Sequence, residues 1–317
     1  MSHRANITII GAGLMGHGLA QVFARAGHRV RVYDAMPASL DTLHARIAQN
    51  LKTLEEPDDC LPLVSGHADL AEALQGAGFV FEAAPEKLDI KRMIFADLER
   101  LAPADAVLAS NTSVMPIGSI VEGLATRARM LGTHWWNPPF LVPLVEVVGT
   151  PDTAEDVIDV TMKLLAAAGK TPVRVMKDVA GFVGNRLQHA LWREAIALVE
   201  QGICDARTVD TVVKASFGRR LAVLGPLENA DLIGTDLSLD IHRTVIQHLD
   251  RTPGPSPYLQ GLVDAGRLGV KTGEGFRTWT EQEAQDLRAQ VFAHLRKLNA
   301  AERGQGVADD RHSEGED

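Results

Sequence analysis

The sequence predicts an α/β protein, with a doubly wound, Rossmann-like N-terminal domain followed by an all-α C-terminal domain. Three observations carry this expectation. The glycine-rich hexapeptide Gly11-Ala12-Gly13-Leu14-Met15-Gly16 sits between a β-branched apolar run and an amphipathic one. Strand-like and helix-like segments then alternate across residues 1–177. From 181 to 300 the pattern is helical, and the polar, acidic stretch 301–317 reads as a disordered tail.

The elements follow in order. Asn6–Ile10 is short, apolar and ends in glycine, as a buried strand would. In 14–26, Leu14, Leu19, Val22, Phe23 and Ala26 recur at helical spacing, and Gly27 stops the run. Arg29–Tyr33 alternates as a strand, 39–54 has helical periodicity, and 55–59 is an acidic, proline-containing break. Residues 77–82, 106–109, 130–133 and 144–148 read as further strands, with a helix at 91–101. Strands separated by helices imply a mostly parallel sheet covered on both faces. Residues 182–201, 206–216 and 228–249 read as helices, and no strand pattern returns before the glycine-rich 266–279.

Composition narrows the function. The chain has 317 residues, enough for two domains, and 41 acidic against 32 basic residues leave a net charge of −9. Without a basic run it offers a nucleic acid no phosphate neutralisation. No run of about 18 apolar residues suggests a membrane span. The N-terminus has no signal-peptide pattern, and Cys60 and Cys204 stand in no metal or redox spacing, so a reducing cytoplasm is expected. Asp236, Asp240 and His242 do not gather on one helical face, so no metal is expected.

Each glycine of the hexapeptide has a task. Gly11 makes the tight turn, Gly13 lets a diphosphate approach the backbone, and Gly16 allows the helix to pack on the strand. Leu14 and Met15 supply amides at the helix N-terminus, where an anion is favoured. Asp34, 18 residues after Gly16, suits the adenine-ribose hydroxyls and repels a 2′-phosphate, which points to NAD rather than NADP. Arg31 lies nearby but lacks a second basic neighbour. His17, in the first turn after the glycine loop, reads as a surface histidine, with contact to the cofactor as the lesser reading.

Three later segments carry polar chemistry: Ser110-Asn111-Thr112-Ser113, the run from Gly132 to Pro139 (GTHWWNPP), and Pro143–Val148 (PLVEVV). His134 closes a strand, and Glu146 interrupts an apolar one, where an unpaired carboxylate is costly. Paired, Glu146 would fix the tautomer of His134 and stabilise its protonated form. Apart, they would be a core histidine and an edge-strand charge. The dinucleotide motif favours the pair, because oxidising an alcohol requires a base for the hydroxyl proton. Ser113 reads equally as a functional hydroxyl and as a turn or cap residue. Trp135 and Trp136 read as substrate wall or as packing.

The segments GAGLMGHG, PEKLDIK, SNTS, HWWNPP, PLVEV, KDVAGFVGNR and LGVKTGEGF together resemble the L-3-hydroxyacyl-CoA dehydrogenase family, from about Ile7 to Trp279. The resemblance implies NAD-linked oxidation of a 3-hydroxyl group and a helical C-terminal domain that mediates homodimerisation. It implies His134 as catalytic base and Glu146 as its partner. It places Ser113 and Asn185 on the substrate oxygen and neighbouring carbonyl, with Asn137 shaping the pocket. Glu86, Lys91 and Asn111 match positions near the cofactor. For Glu86 and Lys91 the plain alternative is an exposed loop and helix start.

Two departures bear on the substrate. The segment after Asp34 is short, with Arg46 and Lys52 its cations before an acidic turn, which suits CoA phosphates poorly. Arg219 and Arg220 precede Gly225-Pro226 where acyl-CoA members carry an aromatic-proline turn. They offer a carboxylate clamp, or else a solvated pair at a helix end. The chain is therefore more similar to the free-hydroxy-acid branch, such as L-gulonate 3-dehydrogenase and carnitine dehydrogenase. A true 3-hydroxyacyl-CoA (3-hydroxybutyryl-CoA) dehydrogenase and a non-catalytic, crystallin-like structural protein remain the alternatives.

Overall fold

The structure, a computed structural model, describes residues 5–313. It divides into two compact units, Met1–Arg186 with His294–Asp317, and Leu187–Ala293.

The first unit is built on eight strands: β1 (Asn6–Ile10), β2 (Arg29–Tyr33), β3 (Val64–His67), β4 (Phe79–Glu82), β5 (Val107–Ser110), β6 (Met130–Trp135), β7 (Leu144–Gly149) and β8 (Thr171–Val175). Their order across the sheet is β3-β2-β1-β4-β5-β6-β7-β8. Every neighbouring pair is parallel except β6 and β7. The helices of this region are α1 (Leu14–Arg25), α2 (Pro37–Asp41), α3 (Leu43–Leu54), α4 (Leu70–Leu74), α5 (Leu88–Leu101), α6 (Ile117–Ile120) and α7 (Glu155–Ala167).

Successive strand side chains point to opposite faces, so an apolar strand covered on both sides feeds two cores. Ile7, Ile9, Val30, Val32, Phe81, Val145 and Val147 enter one core, with Phe23 of α1 stacked on Phe81 at 4.7 Å between ring centroids. Ile10, Val80, Leu108, Met130 and Val148 enter the other, against Phe95 and Leu98 of α5.

The second unit is helical: the greater part of α8 (Gly184–Glu200), then α9 (Ala206–Ala215), α10 (Pro226–Ile233), α11 (Thr235–Val245), α12 (Pro257–Asp264) and the start of α13 (Glu281–Ser313). The glycine-rich 266–279 forms isolated bridges, Gly269 to Glu274 and Glu274 to Thr278.

The structure corrects several expectations. The helix expected at 39–54 breaks at Thr42, because Pro37 starts a separate short turn. The helix expected at 228–249 starts at Pro226 and breaks at Gly234, whose φ of 97° interrupts a right-handed helix. β3, α4, α7 and β8 were not anticipated. β3 is four residues of which only Val64 is apolar, and β8 carries Pro172 in a five-residue run, so neither announces itself as a strand. α13 runs to Ser313, and so overlaps the stretch 301–317 that the sequence reads as a tail. Residues 314–317 lie outside the described residues.

Candidate active site

The strand order reverses at β1, which lies between β2 and β4, and a crevice for ligands opens at the carboxyl ends of strands at such a point. The glycine loop leaves β1 there. Gly11 has φ 100°, and a Cβ on it would come within 2.8 Å of Ala83 O. A Cβ on Gly16 would lie 1.7 Å from Gly11 O, so only glycine lets α1 start so close to β1. Around Gly13 nothing lies within 4 Å of a Cβ position. The first and third glycines are demanded by the protein's own packing, and the middle one faces open space.

Gly13 is the N-cap of α1, with no side-chain cap and no acidic residue in the first turn, which includes Leu14 and Met15. Asp34 follows β2 and accepts from the amides of Ala12 at 2.7 Å and Met36 at 2.8 Å. It thus fastens the glycine loop. Uncapped amides, an open Gly13 and an adjacent carboxylate fit a dinucleotide. Arg31 is directed away, donating to Gln75 O. His17 is buried at 7% exposure rather than on the surface, its Nδ1 2.8 Å from Gly13 O. Burial, together with the charge of Arg46, lowers its pKa against the bond to Gly13.

Lys91 is fully buried, where the plain reading had an exposed helix start. Its Nζ donates to Glu82 Oε1 and Oε2 at 2.8 and 3.0 Å, and lies 3.4 Å from Glu86 Oε2. Glu82 also accepts from Ser110 Oγ at 2.6 Å and Ala84 N at 2.7 Å. Glu86 accepts from Thr112 Oγ1 at 2.5 Å and Ser113 N at 3.0 Å. Burial would raise the Glu86 carboxyl pKa, but the Thr112 hydroxyl, Lys91 and the Ser113 and Val114 amides bring it below the ordinary value. The Ser110–Ser113 segment is thereby tied to the loop after β4. Glu82 was not singled out from sequence, although its signal, a carboxylate closing the apolar run Phe79–Glu82, is the one that marked Glu146.

The antiparallel register of β6 and β7 sets His134 opposite Glu146. His134 Nδ1 and Glu146 Oε2 are 2.7 Å apart, with the two residues 3% and 1% exposed. Glu146 Oε1 accepts from the amides of Val183 and Gly184 at 2.9 and 3.0 Å. Burial alone would raise the Glu146 pKa. The bond from His134 and the two amides outweigh it and hold the carboxyl below its usual range. Two left-handed residues, Gly181 (φ 74°) and Phe182 (φ 47°), bend the chain so that those amides face the carboxylate. A Cβ on Gly184 would meet Trp136 at 2.5 Å and Glu146 at 3.3 Å. The His134 ring packs between Trp136 and Phe182, at 5.2 and 5.8 Å between centroids.

Asn185 Nδ2 donates to Ser113 O at 2.7 Å, which brings these two residues together. Asn111 Oδ1 accepts from Trp135 N at 2.9 Å, so this side chain fastens β6. Asp178 accepts from the amides of Ile117 and Gly118 at 2.8 and 2.7 Å, anchoring the segment that leads to Phe182. Asn137 is exposed. Arg219 and Arg220 are exposed in the second unit, in and just after the turn Phe217–Arg219. Among the described residues no group of His, Cys, Asp and Glu is arranged to hold a metal. None of the described helices is long and apolar enough to cross a membrane.

The model of the 3-hydroxyacyl-CoA dehydrogenase NAD binding domain matches residues 6–179, and that of the 3-hydroxyacyl-CoA dehydrogenase C-terminal domain matches 181–279. The 5-formyl-3-hydroxy-2-methylpyridine 4-carboxylate 5-dehydrogenase of Mesorhizobium japonicum is 34% identical over 94% of this chain and 97% of its own. The lambda-crystallin of Oryctolagus cuniculus is 37% identical over 72% of this chain and 74% of its own. A crystal structure of a 5-formyl-3-hydroxy-2-methylpyridine 4-carboxylic acid 5-dehydrogenase, described as an NAD+-dependent dismutase, superposes with a TM-score of 0.87 at 32% identity, covering 95% of this chain and 99% of that one. The glycine loop at the strand-order reversal, the buried histidine–glutamate pair and the two matched domains agree, and this chain belongs to the 3-hydroxyacyl-CoA dehydrogenase family, with its NAD-binding domain first and its helical C-terminal domain second.

Proposed function

We propose that this protein oxidises the 3-hydroxyl of a free hydroxy acid to a ketone, with NAD as acceptor and His134 as the base. The observation that carries this reading is the 2.7 Å contact of His134 Nδ1 with Glu146 Oε2. With Nδ1 engaged, Nε2 is the atom that takes the hydroxyl proton, and in the reverse direction returns it. Glu146, kept ionised by its amide donors, stabilises the imidazolium that forms. The Ser113 hydroxyl and Asn185 amide hold the substrate oxygen, and Asn137 closes the polar side. The nicotinamide of NAD supplies the hydride acceptor. Gly11, Gly13, Leu14, Met15, Gly16 and Asp34 hold the dinucleotide, and Glu86, Lys91 and Asn111 brace the loops beside it.

A free carboxylate is favoured over a CoA thioester because the short segment after Asp34 ends in Glu55, Glu56, Asp58 and Asp59. The pyridine 4-carboxylate named for the Mesorhizobium relative likewise carries a free carboxylate. Arg219 or Arg220 is the proposed clamp for that carboxylate. The exposed apolar side chains of the second unit, among them Leu187, Leu191 and Trp192, support a homodimer, to be read by light scattering. Two free thiols suit the cytoplasm.

The test follows NADH consumption with acetoacetyl-CoA, and NADH formation from NAD with a panel of free L-3-hydroxy acids. Turnover confined to the acids is expected. Rapid turnover of acetoacetyl-CoA would overturn the free-acid reading. NADH binding without turnover on any of them would favour the crystallin-like alternative.

A further inference from the structure

We propose that Lys170 is a positioning residue, setting the place of the loop that carries the catalytic histidine. This rests on the reading of His134 as the base.

After His134 and Trp135 the chain makes one tight turn before β7, in which Leu141 N and Val142 N both donate to Pro138 O, at 3.0 and 2.9 Å. A turn of this kind leaves its later carbonyls without helical donors. Those carbonyls converge on groups from elsewhere in the same unit. Lys170 Nζ donates to Pro139 O at 2.5 Å and to Val142 O at 2.8 Å. Asn299 Nδ2 donates to Leu141 O at 2.8 Å, and Thr171 N to Pro143 O at 2.9 Å. The ammonium also lies 5.5 Å from the centroid of the Trp135 ring, next in sequence to His134.

The opposite side of the turn is fixed as well. The Pro139 ring rests on α1, where a Cβ on Gly18 would come within 2.5 Å of Pro139 Cγ. The turn is thus held between Lys170 and the helix that begins in the glycine loop. Movement along this line changes the distance between His134 and whatever α1 binds.

Packing alone would not select a lysine here. Burial pulls the Lys170 pKa down to about 8, and among the described residues carbonyls and an aromatic face, rather than a carboxylate, answer its charge. A methionine of the same length would fill the space without desolvating an ion. What the ammonium adds is N–H donors that fix two carbonyls together. Beside it opens a cavity of about 390 Å³, lined among others by Gln21, Leu141 and Asn299. Among the described residues, the charged groups facing that cavity besides Lys170 are Arg25 and Glu56, which pair at 3.2 Å.

The cavity makes a chemical rescue possible. With the best substrate of the panel, Lys170→Ala should lower kcat by about tenfold to a hundredfold, the scale of a misplacement near 1 Å. KM and the Kd for NADH should stay within about twofold. Ethylammonium should restore turnover saturably, and tetramethylammonium, which has no N–H donor, should not. More than half the native kcat in this variant, or a folded, NADH-binding variant that ethylammonium does not rescue, would overturn the proposal. If Lys170→Ala does not fold, Lys170→Met takes its place. Native kcat in Lys170→Met overturns the proposal, and a variant too unstable to assay assigns the lysine to folding and overturns it too. A readout free of turnover is amide exchange with NADH bound. Exchange at Leu141 and Val142 should quicken in Lys170→Met while α1 stays protected, and unchanged exchange counts against the proposal. His134→Gln in the same assay separates the two claims. Near-native turnover there sinks the base reading itself, whereas an inactive His134→Gln beside fully active Lys170 variants sinks this inference alone.

Discussion

Glu82 at the end of β4 and Glu146 within β7 are both walled off from water, at 0% and 1% exposure, and both interrupt apolar strands. Each carboxylate is fully answered, but by different chemistry. Glu82 meets the ammonium of Lys91, with a serine hydroxyl and one amide. Glu146 meets the imidazole of His134, with two amides. The ammonium of Lys91 offers only donors, and its pair ties together β4, β5 and the loops that follow them. An imidazole has a second ring nitrogen that can take up and return a proton, which is what the proposed reading asks of the second pair. Similar burial thus serves scaffold in one place and, on the proposed reading, chemistry in the other, and the partner makes the difference.

The largest expected effect tests the scaffold half of this comparison. Lys91→Met strands the Glu82 charge in the sheet and should cost about 3–5 kcal/mol of stability, read from urea melts. Adding Glu82→Gln should recover part of that loss. A single variant that melts like the native protein would remove the distinction between the two pairs.

Next comes the chemical half. His134→Gln should lower kcat by about a hundredfold or more, near 2.7 kcal/mol in the barrier, with the Kd for NADH unchanged. A similar loss of NADH binding would make His134 part of the frame as well.

Glu146→Gln should have a smaller effect on turnover, about tenfold, because the imidazole stays in place and loses only its anionic partner. This variant also sharpens the comparison through pH. The Glu146 carboxyl has a lower pKa folded than unfolded, so its stabilisation is fully present above the unfolded value and fades as pH falls through the folded one. Glu86 acts in the same sense. Urea midpoints of the native protein should drop between neutral pH and the acid range, and those of Glu146→Gln should drop less. An identical slope in both would deny Glu146 its lowered pKa.

The smallest effect is expected of Gly13→Ala in the glycine loop. Gly13→Ala has room for its methyl group and should melt like the native protein while binding NADH several-fold more weakly, whereas Gly16→Ala collides with Gly11 O and should destabilise the fold. Unchanged NADH affinity in Gly13→Ala would argue against a diphosphate at that backbone.

The sequence by itself determined the strand–glycine–helix unit, the all-α second half and the residue types of the site. Those signals are local: a strand or helix writes its period into a few turns of chain, and a backbone that must approach another closely requires glycine wherever it occurs. The motif carrying His134 and the apolar run carrying Glu146 were legible for the same reason. Other facts were decided only by tertiary structure. The direct facing of His134 and Glu146 follows from β6 and β7 being antiparallel, which neither strand's composition encodes. Lys91 is buried on the carboxylates of Glu82 and Glu86, and His17 beside Gly13 O and the Arg46 guanidinium of α3, although a lysine at a helix start and a histidine in a first turn look solvated in one dimension. Glu82, Asp178 and Lys170 owe their importance to partners 9 to 61 residues away along the chain. Periodicity reports which face of an element is apolar. The burial and pairing of a charge depend on what folds over it, and that is settled when distant segments meet.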